Sequence, residues 1–199
     1  MANLTYVPRW EVEEGAVAFD TGPGVVVIDA VARLVEPGVP YDRDGRIARM
    51  GRVNETVLAQ LLADTFFSAA PPKSTGRERF GDLYAMSLHA RVPGPDGITT
   101  AVELTARTIA EAIGRWVPGT PEVVISGGGV HHPVLMERLT ALLEPRVVRR
   151  FDELFFSGDA KEAVAFALLG YLTVHGQPGN IPSATGASGP RVLGTITPP

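Results

Sequence analysis

The 199-residue chain contains no cysteine, which excludes a disulfide framework, a thiolate nucleophile and any cysteine-ligated zinc. Net positive charge is lacking too. Eighteen Lys and Arg against 22 Asp and Glu give a formal charge of −4 and a pI near 5.6, so no nucleic-acid partner is expected. The small basic group Arg146, Arg149 and Arg150 does not alter that and reads as a solvated strand edge. Long apolar runs are missing as well. The longest, residues 163–174, is shorter than the ~20 residues of a membrane-spanning helix and reads as a buried helix. The opening residues, MANLTYVPRWEVEEG, have neither a basic n-region nor an apolar h-region, so no signal peptide is expected. These absences together predict a soluble, cytoplasmic protein with no membrane partner.

What is present is ordinary globular material. Hydrophobic residues make up 45% and charged residues 20%, and the length suits one large domain or two small ones. A chain of this size can bury a substantial core without disulfides or structural metals.

Residues 3–7 pattern as a strand that opens with no cap, turn or element before it. A short strand at 16–19 runs into the turn Asp20-Thr21-Gly22-Pro23-Gly24, and an apolar helix follows over 25–34. Asn54 begins a helix through Leu62, with Val57, Leu58, Leu61 and Leu62 on one face. Pro/Gly loops cover 69–79 and 93–97. The spacing of Leu104, Ile109, Ala112, Ile113 and Trp116 predicts a helix over 100–116, and Thr100-x-x-Glu103 is read as its capping box. A βαβα series follows: strand 122–126, a Gly127-Gly128-Gly129 turn, helix 133–143, strand 146–149, and helix 159–175 stopped by Gly176. The tail, 177–199, is rich in Pro, Gly and Ser, with one strand-like piece at 192–196. There is no internal repeat or charge block. Alternating strands and helices argue an α/β layer architecture.

Three places carry candidate chemistry. Gly127, Gly128 and Gly129 put bare backbone between a strand and a helix, which suits either a nucleotide site or a tight turn without ligand. The run matches neither the P-loop nor the dinucleotide fingerprint. Asp20 ends a strand at a Gly-rich turn, where ligands bind in α/β sheets. It could act as a general base or beside magnesium, or simply cap the turn. Asp-Thr-Gly also occurs in aspartic proteases, but that chemistry needs a second such triplet or a homodimer, and the α/β pattern argues against it. Glu162 follows Asp159 at capping-box spacing; it either reaches back to a backbone N–H or faces a cleft in the field of the helix dipole.

Taken together, FDTGPG (19–24), YDRDG (41–45), PPKSTGRERF (71–80), LTARTIAEAI (104–113), GGG-x-x-x-P-x-LM-x-RL (127–139), DAKEAVAFALLGYLTVHGQPGNIPSATGAS (159–188) and VLG (192–194) resemble the anhydro-N-acetylmuramic acid kinase family, in the family's order. PKSTGRE and PGNIPSATGAS are far more specific than a glycine run. The resemblance implies an α/β, actin-like or ribonuclease H-like ATPase fold, with a mixed sheet, packed helices and ATP between two lobes. It implies ATP with Mg2+ as the phosphoryl source. The sugar O6 is phosphorylated while water attacks the anomeric carbon, opening the anhydro ring to N-acetylmuramic acid 6-phosphate. By the same resemblance Asp20 activates that water, Glu162 lies near the reacting sugar, and Gly127 to Gly129 lie on the adenosine side.

The chain departs from the family pattern by lacking the Gly-Thr-Ser-x-x-Asp-Gly hairpin and the Asn-Ile-Gly-Gly turn. Residues 1–199 are therefore expected to form the C-terminal lobe only, with little kinase activity alone, and 177–199 its tail. A missing N-terminal lobe, or a second copy in a homodimer, is the expected partner. The alternatives are a non-catalytic sugar- or nucleotide-binding remnant and one half of a split kinase; the latter predicts a large exposed apolar patch. Val25 and His132 stand where the family has asparagine, the second being read as a change near the nucleotide. Metal ligation by His131 and His132 is not expected, because adjacent helical residues face apart.

Overall fold

A computed structural model describes residues 1–8 and 15–197; residues 9–14, and the end of the expected tail at 198–199, lie outside the described residues. Its elements in chain order are β1 (Ala2–Tyr6), β2 (Val17–Gly22), α1 (Val25–Val35), α2 (Glu55–Leu62), α3 (Thr65–Ser68), α4 (Arg77–Phe80), α5 (Asp82–Arg91), α6 (Pro95–Trp116), β3 (Glu122–Ile125), α7 (Pro133–Leu143), β4 (Val147–Arg150), α8 (Phe151–Leu154), α9 (Lys161–Val174) and α10 (Pro182–Thr185). Short 3-10 turns lie at Arg43–Gly45, Ala48–Met50, Gly128–His131 and Gly158–Ala160.

Helix α6 is the axis of the core. Ile98, Ala101, Val102, Leu104, Ala106 and Ile113 are buried along it, and α1, α2, α7, β1 and β2 pack around it. A helix apolar on more than one face must be enclosed, and this one is. It starts earlier than residue 100. Pro95 stands in its first turn, where a missing N–H costs nothing. The expected capping box is therefore not formed. The Thr100 hydroxyl donates to Asp96 O at 2.7 Å and accepts from Asn54 N at 3.0 Å, while Glu103 faces two arginines.

The strands do not make one mixed sheet. Among the described residues they form two separate pairs, β1–β2 antiparallel and β3–β4 parallel, so the fold is α/β with packed helices and small sheets. Asn3 pairs with Asp20 and Leu4 with Phe19 in the first, Glu122 with Val147 and Ile125 with Arg150 in the second. The basic cluster is used locally: Arg149 pairs with Glu122, and Arg150 and Arg146 donate to Val130 O and Pro118 O.

Two further expectations fail. Helix α5 lay in a stretch with no predicted element, because Leu83 and Met86 point to solvent while only Ala85 and Leu88 are buried, which erases the periodic signal. The piece at 192–196 is not a strand. It runs along α9, where Leu193 O accepts from the Thr173 hydroxyl, and it has no ladder partner among the described residues.

The largest correction concerns residues 163–174. They form a helix that ends as predicted, with Gly176 at φ +63° and its N–H on Thr173 O, but α9 is not buried. Phe166 is 72% exposed and Val174 70%. The helix is apolar all round, so burying it would need cover on every side. Among the described residues its apolar part is met by the tail, through Leu169 against Gly179 and Thr173 against Leu193 and Gly194.

Candidate active site

Asp20 lies in β2, between β1 on one side and the 71–75 loop on the other. Asn3 pairs with it across the hairpin. From the loop, Lys73 O accepts the Asp20 N–H at 2.9 Å, and the Thr75 N–H donates to Asp20 Oδ2 at 2.8 Å. Both main chain and carboxylate are thus fixed by one segment.

The turn after Asp20 is locked for a steric reason. Gly24 sits at φ +57°, and a Cβ there would fall 2.7 Å from Ala2 N and 2.8 Å from Met1 C. Only glycine meets both conditions. Thr105 of α6 donates to Gly24 O at 3.0 Å, and α1 then begins at Val25 with no side-chain cap.

Val25 links this turn to the glycines. A Cβ on Gly128 would lie 3.9 Å from Val25 Cγ2, and one on Gly129 3.7 Å from Val25 Cγ1. Gly127 adopts φ +87°, and the space its Cβ would fill is open. The structure therefore places Gly127–Gly129 beside the start of α1, and the bare glycine turn leaves room that a side chain would take.

Glu162 sits in the first turn of α9. The expected box with Asp159 is absent: Ala160 is the N-cap residue and offers no side-chain bond, and the Asp159 carboxylate instead lies 3.9 Å from His131 Nε2. The start of α9 is anchored to the strand that leads into the glycines, since Lys161 Nζ donates to Ser126 Oγ at 2.6 Å. The Glu162 carboxylate is exposed and makes no hydrogen bond or ion pair among the described residues. No contact joins it to Asp20.

His132 turns its ring into the core, 5% exposed, where Nδ1 accepts the Leu135 N–H at 3.2 Å and caps α7. An accepting Nδ1 places the proton on Nε2, which lies 3.4 Å from Asp42 Oδ2. Asp42 also accepts from the amides of Ile47 and Ala48 at 2.8 and 2.9 Å. Burial works against its charge, but His132 and the two amides outweigh it and hold the carboxyl below the usual range. His131 and His132 do face apart, one exposed and one buried.

Three arrangements were not visible beforehand: the Thr75 clamp on Asp20, the Lys73 anchor behind it, and the Asp42–His132 pair. The strings PPKSTGRERF and YDRDG marked the places without showing the contacts. The tail closes the same region. Gly186, at φ +73°, is so near the 71–75 loop that a Cβ would stand 3.1 Å from Pro72 Cγ, and α10 packs on β2. Among the described residues no three His, Asp or Glu are placed to share a metal ion, so these residues do not form a magnesium cage of their own.

The anhydro-N-acetylmuramic acid kinase family model matches residues 1–199, the whole chain. The chain belongs to that family. Curated anhydro-N-acetylmuramic acid kinases agree with it from end to end. That of Xanthomonas axonopodis pv. citri is 42% identical over 201 residues, covering 100% of this chain and 52% of the relative. That of Streptomyces avermitilis is 46% identical over 200 residues, covering 98% and 51%. That of Caldanaerobacter subterraneus subsp. tengcongensis is 39% identical over 206 residues, covering 99% and 52%. The chain thus spans about half the length of the curated relatives it matches.

Proposed function

We propose that this chain supplies one lobe, the C-terminal one, of an ATP-dependent kinase acting on 1,6-anhydro-N-acetylmuramic acid in cytoplasmic peptidoglycan recycling. The observation that carries the reading is Asp20, clamped by the Thr75 amide and leading through its turn to Val25 at the glycines, in a chain that matches the kinase family throughout.

In this reading Asp20 accepts a proton from water as the water oxygen bonds to the anomeric carbon. The C1–O6 bond breaks, its electron pair stays on O6, and O6 takes the γ-phosphoryl group of ATP. The products are N-acetylmuramic acid 6-phosphate and ADP. Acetal opening needs a positioned base, and phosphoryl transfer needs placement and charge neutralisation rather than covalent help. Glu162 would bear on the sugar from the start of α9, and Gly127 to Gly129 would pass the adenosine side. ATP would bring magnesium on its phosphates, where one or two protein carboxylates suffice to complete the shell. The phosphate cradle and much of the sugar pocket belong to the part of the relatives that this chain does not cover.

The exposed apolar faces of α9 and the β3–β4 pair, including Phe166, Leu168, Tyr171, Val124 and Val147, support a lobe that docks on a second body, either the rest of one longer chain or the other half of a split kinase, because a monomer rarely leaves such surface uncovered. A binding remnant is the second reading. It is favoured by Val25, whose apolar side chain packs at the glycine turn.

The test is a reaction in 18O-labelled water with the chain joined to the complementary half of a relative. Label is expected at the anomeric hydroxyl and not in the phosphate. Unlabelled product, or phosphate label, would refute water attack at carbon. Calorimetric ATP binding without any product under the same conditions would favour the remnant.

A further inference from the structure

Lys73 is a cation in surroundings that disfavour charge. Burial, with the charge of Arg115 adding to it, pushes its pKa below the ordinary lysine value. No carboxylate compensates it among the described residues. Its Nζ instead donates to Phe66 O at 2.7 Å and Phe67 O at 3.2 Å. It lies 4.7 Å from the Phe66 ring centroid and 5.7 Å from that of Phe19, the neighbour of Asp20 on β2. Two carbonyls and two aromatic faces hold an ammonium that water would otherwise solvate.

The same residue touches Asp20 through its backbone, since Lys73 O accepts the Asp20 N–H and Thr75, two residues on, donates to the Asp20 carboxylate. The 71–75 stretch contains neither helix nor strand. It is held by what its side chains grip, and Lys73 grips the end of α3. We propose that Lys73 is a positioning residue, tethering the 71–75 loop to α3 and β2 so that the Thr75 amide fixes the orientation of the Asp20 carboxylate. The proposal rests on the reading of Asp20 as the base.

The test uses the 15N-labelled chain, comparing the Thr75 amide in the wild type, Lys73→Met, Lys73→Arg and Asp20→Asn. Lys73→Met keeps the aliphatic stem and removes the charge. We expect it to speed Thr75 hydrogen exchange about tenfold or more while α6 amides keep their protection. It should also move the Thr75 signal to where Asp20→Asn puts it. Lys73→Arg, with its charge and donors retained, should restore the wild-type signal. An unchanged Thr75 amide in Lys73→Met overturns the proposal. So does an arginine variant no better than methionine, or a collapse of the whole spectrum, which would make Lys73 a stability residue. Because turnover is not the readout, a kinase that survives Asp20→Asn would refute the base assignment while leaving this result standing.

Discussion

Two buried carboxylates, Glu103 and Asp42, organise the residue scale, and neither is a proposed catalytic group. Glu103 is 2% exposed and receives Arg138 Nε at 2.6 Å, Arg138 Nη2 at 2.8 Å and Arg107 Nε at 2.7 Å. The Arg138 hydrogen bonds outweigh the cost of burial, Arg107 adds to them, and the carboxyl is held below its ordinary range. A depressed carboxyl stabilises the fold at pH values above its unfolded pKa, and the gain is lost as pH falls through the folded value. Glu103→Gln should therefore cost roughly 2–3 kcal/mol at pH 7, less than a fully enclosed pair because both guanidiniums reach solvent. In urea melts the gap between the two proteins should close as pH is lowered past the carboxylate range; a gap constant with pH would refute the assignment. His132 permits a sharper comparison. Asparagine is also a good N-cap, so His132→Asn should keep most of the stability, while His132→Ala should lose about 1 kcal/mol or more. Equal melts for the two variants would show that the Nδ1 cap contributes nothing.

At the scale of elements, burial separates helices that look alike in sequence. Leu104 on α6 is fully enclosed, so Leu104→Ala should cost about 2–5 kcal/mol. Phe166 on α9 is an equally apolar residue, yet its exposure predicts that Phe166→Ser changes the isolated chain by no more than about 0.5 kcal/mol. Denaturant midpoints decide this, and a large loss from Phe166→Ser would mean that α9 is covered in solution. The contrast also marks where sequence reading stops. Periodicity located α1, α2, α6, α7 and α9, and the turn residues located Gly24, Gly127 and Gly176, because both signals are local. Periodicity could not show that α9 lacks cover, since an all-round apolar helix looks buried wherever it sits. It missed α5, whose apolar residues are divided between core and solvent. It could not show that Thr75 grips Asp20 across 55 residues of chain. Local capping rules also misassigned Thr100, whose hydroxyl bonds Asp96 O and Asn54 N inside a longer helix, and Asp159, which lies before the Ala160 N-cap. The candidate residues themselves came from strings whose contacts are long-range.

At the scale of the whole molecule, the single-lobe proposal makes this arrangement one wall of a cleft. Asp20, the glycine turn and the start of α9 lie along linked elements, yet no residue here encloses a phosphate chain, and Glu162 is open to solvent. In the proposed reaction, water attack and phosphoryl transfer happen together on one sugar with bulk water kept from ATP, which calls for closure by a second body. Relatives about twice as long as this chain have the material for it. The chain alone, given ATP, magnesium and the anhydro sugar, should therefore give no product above the uncatalysed background. Adding the uncovered half of a relative should restore turnover, and Asp20→Asn in that assembly should reduce it by roughly 10²–10⁴-fold, the range of a lost general base. Product from the chain alone would overturn the single-lobe reading. A restored enzyme indifferent to Asp20→Asn would instead move the base elsewhere, with Glu162 the next carboxylate to test.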